Sequence, residues 1–162
     1  MNMKKLAMMC MSLLIAGAAH AQFEQGKVYC GASLSGLNLS YNGTSDLNLG
    51  VQAQAGYLFW DNLMGVANVS YQHTGAEGVK DYVSAGVQGR YYIIQNGLYL
   101  GAGAKFVHSS GYSDVMPGVE LGYAFFVSRT VTIEPALYYD QSIKNHSDYS
   151  TIGLRIGVGV YL

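Results

Sequence analysis

Strict two-residue alternation, sustained over segments of ten or more residues, is the feature that most narrows what this chain can become. In Leu47 to Phe59, one face carries Leu47, Leu49, Val51, Ala53, Ala55, Tyr57 and Phe59. The other face carries Asn48, Gly50, Gln52, Gln54 and Gly56, with Leu58 as the exception. A period of two is the signature of a strand with one apolar and one polar face. About 9–11 tilted residues cross the hydrocarbon of a bilayer, so such a segment is long enough to span one.

The pattern recurs in Leu63 to Gln72, Tyr82 to Ile93, Leu98 to Val107, Val115 to Val127, Val131 to Asp140 and Thr151 to Leu162. Val28 to Tyr41 joins them if the chain slips by one residue near Ser35-Gly36, as a bulge allows. Eight strands result, an even number, which puts both chain ends on the same side. The connections Trp60-Asp61-Asn62, Gln95-Asn96-Gly97 and Ser128-Arg129-Thr130 are tight. Those over 42–46, 73–81, 109–114 and 141–148 are longer and more polar. Pro135 falls on the apolar face of the seventh strand and lacks a backbone donor, so a bulge or local break is expected there.

Alternation does not say which face points outward; composition does. Only 12% of the residues are charged, against about 25% in an ordinary soluble domain. The polar faces are rich in glycine and short of lysine and glutamate, unlike the solvated wall of a lipocalin-like barrel or sandwich. The apolar faces carry aromatics toward their ends. Tyr57, Phe59, Tyr91, Tyr123 and Phe125 lie near the short turns, and Tyr41, Tyr71, Phe106 and Tyr139 near the long connections. Two such girdles fit the two interfaces of a membrane. The expectation is an all-β, eight-stranded antiparallel up-and-down transmembrane barrel, apolar outside, with a filled polar interior.

The first residues read as an export leader. Lys4 and Lys5 precede an 11-residue apolar stretch, Leu6 to Ala16, and Ala19-His20-Ala21 places small residues at the −3 and −1 positions. Cleavage is expected before Gln22, dividing the chain into a leader over 1–21 and a barrel domain over 22–162. Seven basic and ten acidic residues then remain, a net charge near −3 with no basic patch, which argues against a nucleic-acid partner. Cys10 leaves with the leader. Cys30 remains without an intrachain partner, as a small apolar strand residue.

These features resemble the small outer-membrane β-barrel family of the OmpA-transmembrane and OmpX type, over Gly26 to Leu162. The closing segment Ile152 to Leu162 is similar to the C-terminal signal read by the barrel-assembly machinery. It ends in Leu162 after Tyr161 where that signal usually ends in phenylalanine. The resemblance implies the outer membrane of a Gram-negative bacterium, with both termini periplasmic. It implies contact with outer-membrane lipid and lipopolysaccharide, and with periplasmic chaperones and the assembly machinery during biogenesis. It implies a monomer without cofactor.

Arg90, Lys105, Glu120, Glu134, Asp140 and Arg155 fall on the inward faces. An eight-stranded barrel is just wide enough for side chains to fill, and charge buried there must be paired. Reflecting the chain about the 141–148 connection sets Glu134 opposite Arg155. Reflection about 109–114, allowing one step of register, brings Lys105 near Glu120. An ion-pair network that plugs the lumen is expected, and a narrow small-solute, porin-like channel is the alternative. Some barrels of this size modify lipid A, the deacylase type with a His-x-Ser pair and a glutamate on the outer wall. His108-Ser109-Ser110 supplies the pair, but Glu120 has inward parity and Gly111 stands where such enzymes have asparagine. His73 and His146 share no metal-ligand spacing, and Asp46, Asp81, Asp114 and Asp148 read as solitary loop acids. Gly101-Ala102-Gly103 lies within a strand and is not a phosphate loop, and Asn42-Gly43-Thr44 is an incidental glycosylation pattern. The reading is a non-enzymatic barrel with a structural or surface-interaction role in the envelope.

Overall fold

The computed structural model describes residues 23–37, 48–74, 81–93, 96–109, 111–144 and 150–162. The proposed leader and Tyr41 lie outside them. The described residues form eight antiparallel strands. They are β1 (Val28–Leu37), β2 (Asn48–Trp60), β3 (Leu63–Thr74), β4 (Tyr82–Tyr92), β5 (Leu98–Ser109), β6 in two segments (Tyr112–Tyr123 and Phe125–Phe126), β7 (Val131–Asp140) and β8 (Thr151–Tyr161). Each strand pairs with its sequence neighbours, and β1 pairs with β8 from Tyr29↔Tyr161 to Leu37↔Leu154, so the sheet closes on itself. Closure removes both sheet edges and gives the strand backbones partners within the chain.

The one-residue slip in β1 is present as a register shift between Ser35 and Leu37 against β8. A second shift, between Leu58 and Trp60 against β3, leaves the consecutive residues Phe59 and Trp60 both exposed. Pro135 produces a break without a slip. Gly122↔Ala136 and Phe125↔Ile133 share one register, so Tyr123 and Ala124 face Pro135 and Glu134 across the interruption in β6. Ala124 N–H donates instead to Gly97 O at 2.7 Å.

One connection differs from expectation. The polar stretch 109–114 is not a long loop: Ser109 pairs with Tyr112, and Gly111 adopts φ +88°, which glycine reaches without strain. Ser113 and Asp114 are strand residues, and Asp114 is buried rather than a solvated loop acid.

The wall is apolar on its outside. Leu34, Val51, Tyr57, Val69, Val87, Leu100, Val119, Leu137, Ile156 and Val158 are all exposed. The inward set includes Gln52, Gln54, Ser84, Arg90, Glu120, Thr132 and Glu134, all buried. Aromatic rings lie flat against the inner wall where glycine leaves room. A Cβ on Gly122 would collide with the Tyr99 ring. Gly122→Val is therefore expected to destabilise the barrel by about 1–3 kcal/mol through overpacking. Denaturant unfolding followed by the emission of Trp60, the single tryptophan, would measure it. An unchanged midpoint would show that Tyr99 has free room.

Candidate functional site

The lumen is where this chain concentrates buried charge, and its centre is Arg90 on β4. Its side chain is 2% exposed. Nη1 donates to Glu134 Oε2 at 3.0 Å, and Nη2 donates to Gln54 Oε1 at 2.8 Å. Nη2 also lies 3.2 Å from Glu120 Oε1, an ion-pair distance without hydrogen-bond geometry. The guanidinium sits over the Tyr99 ring, 4.6 Å from its centroid. Glu134 on β7 is saturated: Oε1 accepts from Thr132 Oγ1 at 2.8 Å and Tyr161 Oη at 3.0 Å. Its Oε2 accepts from Tyr29 Oη at 2.8 Å as well as from Arg90. A buried carboxylate with that many donors and a cation beside it meets the condition for charge in a low-dielectric interior.

Two further pairs continue toward the loop end. Arg155 Nη1 donates to Glu120 Oε2 at 2.6 Å, with its guanidinium 4.6 Å from the Tyr138 ring centroid. Lys105 Nζ donates to Asp140 Oδ2 at 2.5 Å. Beside these pairs is a cavity of about 40 Å³, lined by Gln52, Asn68, Gln88, Lys105, Asp140 and Arg155 among others. A volume that small holds a few water molecules, not an aqueous pore.

These partners correct the hairpin arithmetic. Glu134 pairs with Arg90, not Arg155, and Lys105 pairs with Asp140, not Glu120. In the β7–β8 hairpin Arg155 faces Ala136 and Glu134 faces Gly157, two residues from the symmetric register. In β5–β6 the tight turn at Gly111 sets Lys105 opposite Met116 and Gly101 opposite Glu120. Both offsets are small and preserve inward parity. They hand each charge to a partner across the bore, which is narrow enough for β4 to reach β6 and β7.

Toward the short turns the filling is aromatic. Tyr29, Tyr92, Tyr99 and Tyr161 are buried with Leu58 and Met64. Tyr92 Oη and Tyr161 Oη lie 2.7 Å apart. The alternation contained this signal, since Tyr92 and Tyr99 share the inward parity of Arg90. Phe23 also enters the cluster, and no periodicity marks it because it precedes the first strand.

On the outer wall, Tyr57, Phe59, Tyr91 and Phe125 are exposed near the short turns, and Tyr123 is half-buried. Tyr71, Phe106 and Tyr139 are exposed toward the other strand ends. At the loop-end rim, Asp81 is no solitary acid: it accepts from Tyr71 Oη at 2.5 Å and lies 2.8 Å from His73 Nδ1. Ser110 lies outside the described residues. His108 Nδ1 meets Ser113 Oγ at 2.9 Å, its cross-strand neighbour. Glu120 is inside the wall and engaged by Arg90 and Arg155, so it orients no histidine outside.

Closed ladder, apolar exterior and filled bore together decide the architecture. The fold is that of the small outer-membrane β-barrels. It resembles the N-terminal β-barrel domain of OprF from Pseudomonas aeruginosa, with a TM-score of 0.66 at 13% identity over 85% of this chain and 98% of that one. It also resembles the outer membrane protein Ail of Yersinia pestis, with a TM-score of 0.59 at 14% identity over 85% and 100%. A de novo designed transmembrane β-barrel matches at a TM-score of 0.56, 13% identity, over 86% and 98%. No protein-family model and no curated protein matches the sequence.

Arg90 is the test of this network. Arg90→Ala leaves the buried Glu134 without its cation, while Glu120 keeps Arg155, and is expected to cost about 3–5 kcal/mol, the usual penalty for orphaning a buried charge. Arg129→Ala, at an exposed turn, serves as the mild reference. Equilibrium unfolding in detergent would compare them, and equal midpoints would show that the bore screens charge as water does.

Proposed function

We propose that this chain is a non-enzymatic, integral outer-membrane β-barrel with a permanently filled lumen, acting in the envelope through its wall and its loop-end surface. The observation that carries the reading is the inside-out distribution of side chains. Apolar residues cover the outside, while Arg90, Glu120 and Glu134 are buried in the middle. A water-soluble barrel of this size has the reverse arrangement, and the outward aromatics near both strand ends support two membrane interfaces. The short turns and the two chain ends then face the periplasm. Outer-membrane lipid and lipopolysaccharide surround the wall, and the chaperones and assembly machinery of the periplasm act during biogenesis. A monomer suffices, because the closed sheet leaves no edge that needs a partner.

A structural or surface-interaction role fits a lumen that conducts nothing. The ion pairs Arg90–Glu134 and Lys105–Asp140 and the roughly 40 Å³ cavity beside them disfavour a small-solute channel. The pairing of His108 with Ser113, away from any described carboxylate partner, gives no support to a deacylase reading.

Two measurements on the folded protein test this. Trp60 is 65% exposed on the outer wall, so lipid carrying brominated chains is expected to quench its emission strongly. Planar bilayers containing the protein are expected to stay without steady conductance. A barrel that dissolves freely without detergent, or one that conducts steadily, would overturn the proposal.

A further inference from the structure

The filling of the turn-end mouth has one member that no strand carries. Tyr29, Tyr92, Tyr99 and Tyr161 belong to β1, β4, β5 and β8, so they leave the bore only if the sheet opens. Phe23 precedes β1, yet it is 0% exposed. Its ring stacks on Tyr92, with centroids 3.8 Å apart and an interplanar angle of 12°. It meets Phe126 and Tyr161 edge-on at 5.6 and 5.5 Å. The chain folds back into the bore through a turn at 24–27, where Gly26 has φ +93° and no heavy atom stands within 4 Å of where its Cβ would be. Four bonds tie this arm to the barrel: Asn62 N–H to Phe23 O, Gln25 N–H to Asp61 Oδ1 and Gly26 N–H to Leu58 O, each 2.9 Å, and Leu58 N–H to Lys27 O at 3.0 Å.

We propose that the arm from Phe23 to Lys27 is a stopper that seals the turn-end mouth and can leave it while the barrel stays folded. The two closures of the lumen then differ in kind. The charged layer around Arg90 is built from strands and is permanent. The aromatic seal depends on an arm with an open glycine hinge and a few backbone bonds, the kind of element that opens locally at far less cost than the sheet. With the stopper out, Tyr92, Tyr161 and Phe126 line an aromatic slot at the mouth, while the Arg90 layer still blocks the bore. Because that layer is untouched, release of the stopper admits small reagents to the mouth without producing conductance. The outcome is thus separable from the bilayer test above.

The test is the reactivity of a cysteine behind the stopper. Met64 is 0% exposed and lies opposite Arg90, so Met64→Cys in a Cys30→Ser background reports entry from the turn end. Adding Phe23→Ala is expected to raise its rate of labelling by a small water-soluble thiosulfonate by about tenfold or more, as for a locally opened site. Phe23→Trp should leave the rate near that of the parent. Far-UV circular dichroism and Trp60 emission report whether each variant is folded. Asp61→Ala keeps the ring and removes one clamp, and it should raise the rate in the same direction. It carries the test if the Phe23→Ala protein does not fold. A folded Phe23→Ala protein with an unchanged rate, or failing that a folded Asp61→Ala protein with an unchanged rate, overturns the proposal.

Discussion

In hydrocarbon no water completes a hydrogen bond, so each backbone N–H and C=O of a spanning segment needs a partner within the protein. Pairing of β1 with β8 meets that constraint by turning a sheet with two raw edges into a ring. The rest of the architecture follows from closure. A ring of eight strands has a bore about one layer of side chains wide, so its inner residues must fill it. Its outer residues must be apolar. Alternation with period two is the only sequence pattern that supplies both faces from one strand.

Filling the bore with charge is costly unless every charge is answered, and the lumen answers in two ways. Glu134 receives donors from four side chains on three other strands and its own, so the carboxylate is solvated by protein in place of water. Arg90 gives its terminal nitrogens to Glu134 and Gln54 and its face to Tyr99. Its Nε keeps no hydrogen-bond partner, as does that of Arg155, which sits at the small cavity where a few waters have room. The layer therefore ties β1, β2, β4, β6, β7 and β8 across the bore, perpendicular to the ladder that ties them around it.

Much of this was legible in the residues. Strand number, the bulge near Ser35-Gly36, the break opposite Pro135 and the inward parity of all six ionisable groups follow from a period of two, because parity survives small errors of register. Partner identity does not survive them. A two-residue offset in the β7–β8 hairpin keeps Glu134 inside but moves it from Arg155 to Gly157, and its actual partner Arg90 lies 44 positions away in sequence. Turn geometry has the same weakness: polar Ser109 to Asp114 reads as a loop, while Gly111 closes a tight hairpin within it. Phe23 was not legible at all, since its place depends on a chain reversal at Gly26 and on a slot assembled from three distant strands.

Fold and role separate cleanly here. A designed barrel and two natural ones share this architecture at 13–14% identity, so the architecture answers the membrane's demand for closure and leaves function to what decorates it. In this chain the decoration lies at the two ends. The loop-end rim carries a hydrogen-bonded set of His73, Asp81 and Tyr71, with His108 and Ser113 on the adjoining strands. The turn end carries an aromatic seal whose outermost ring is not part of the sheet. Between them lies the Arg90 layer, which fills the middle of the bore with paired charge. On the proposed reading the barrel acts through those two ends, with the Arg90 layer as the core that holds them in place.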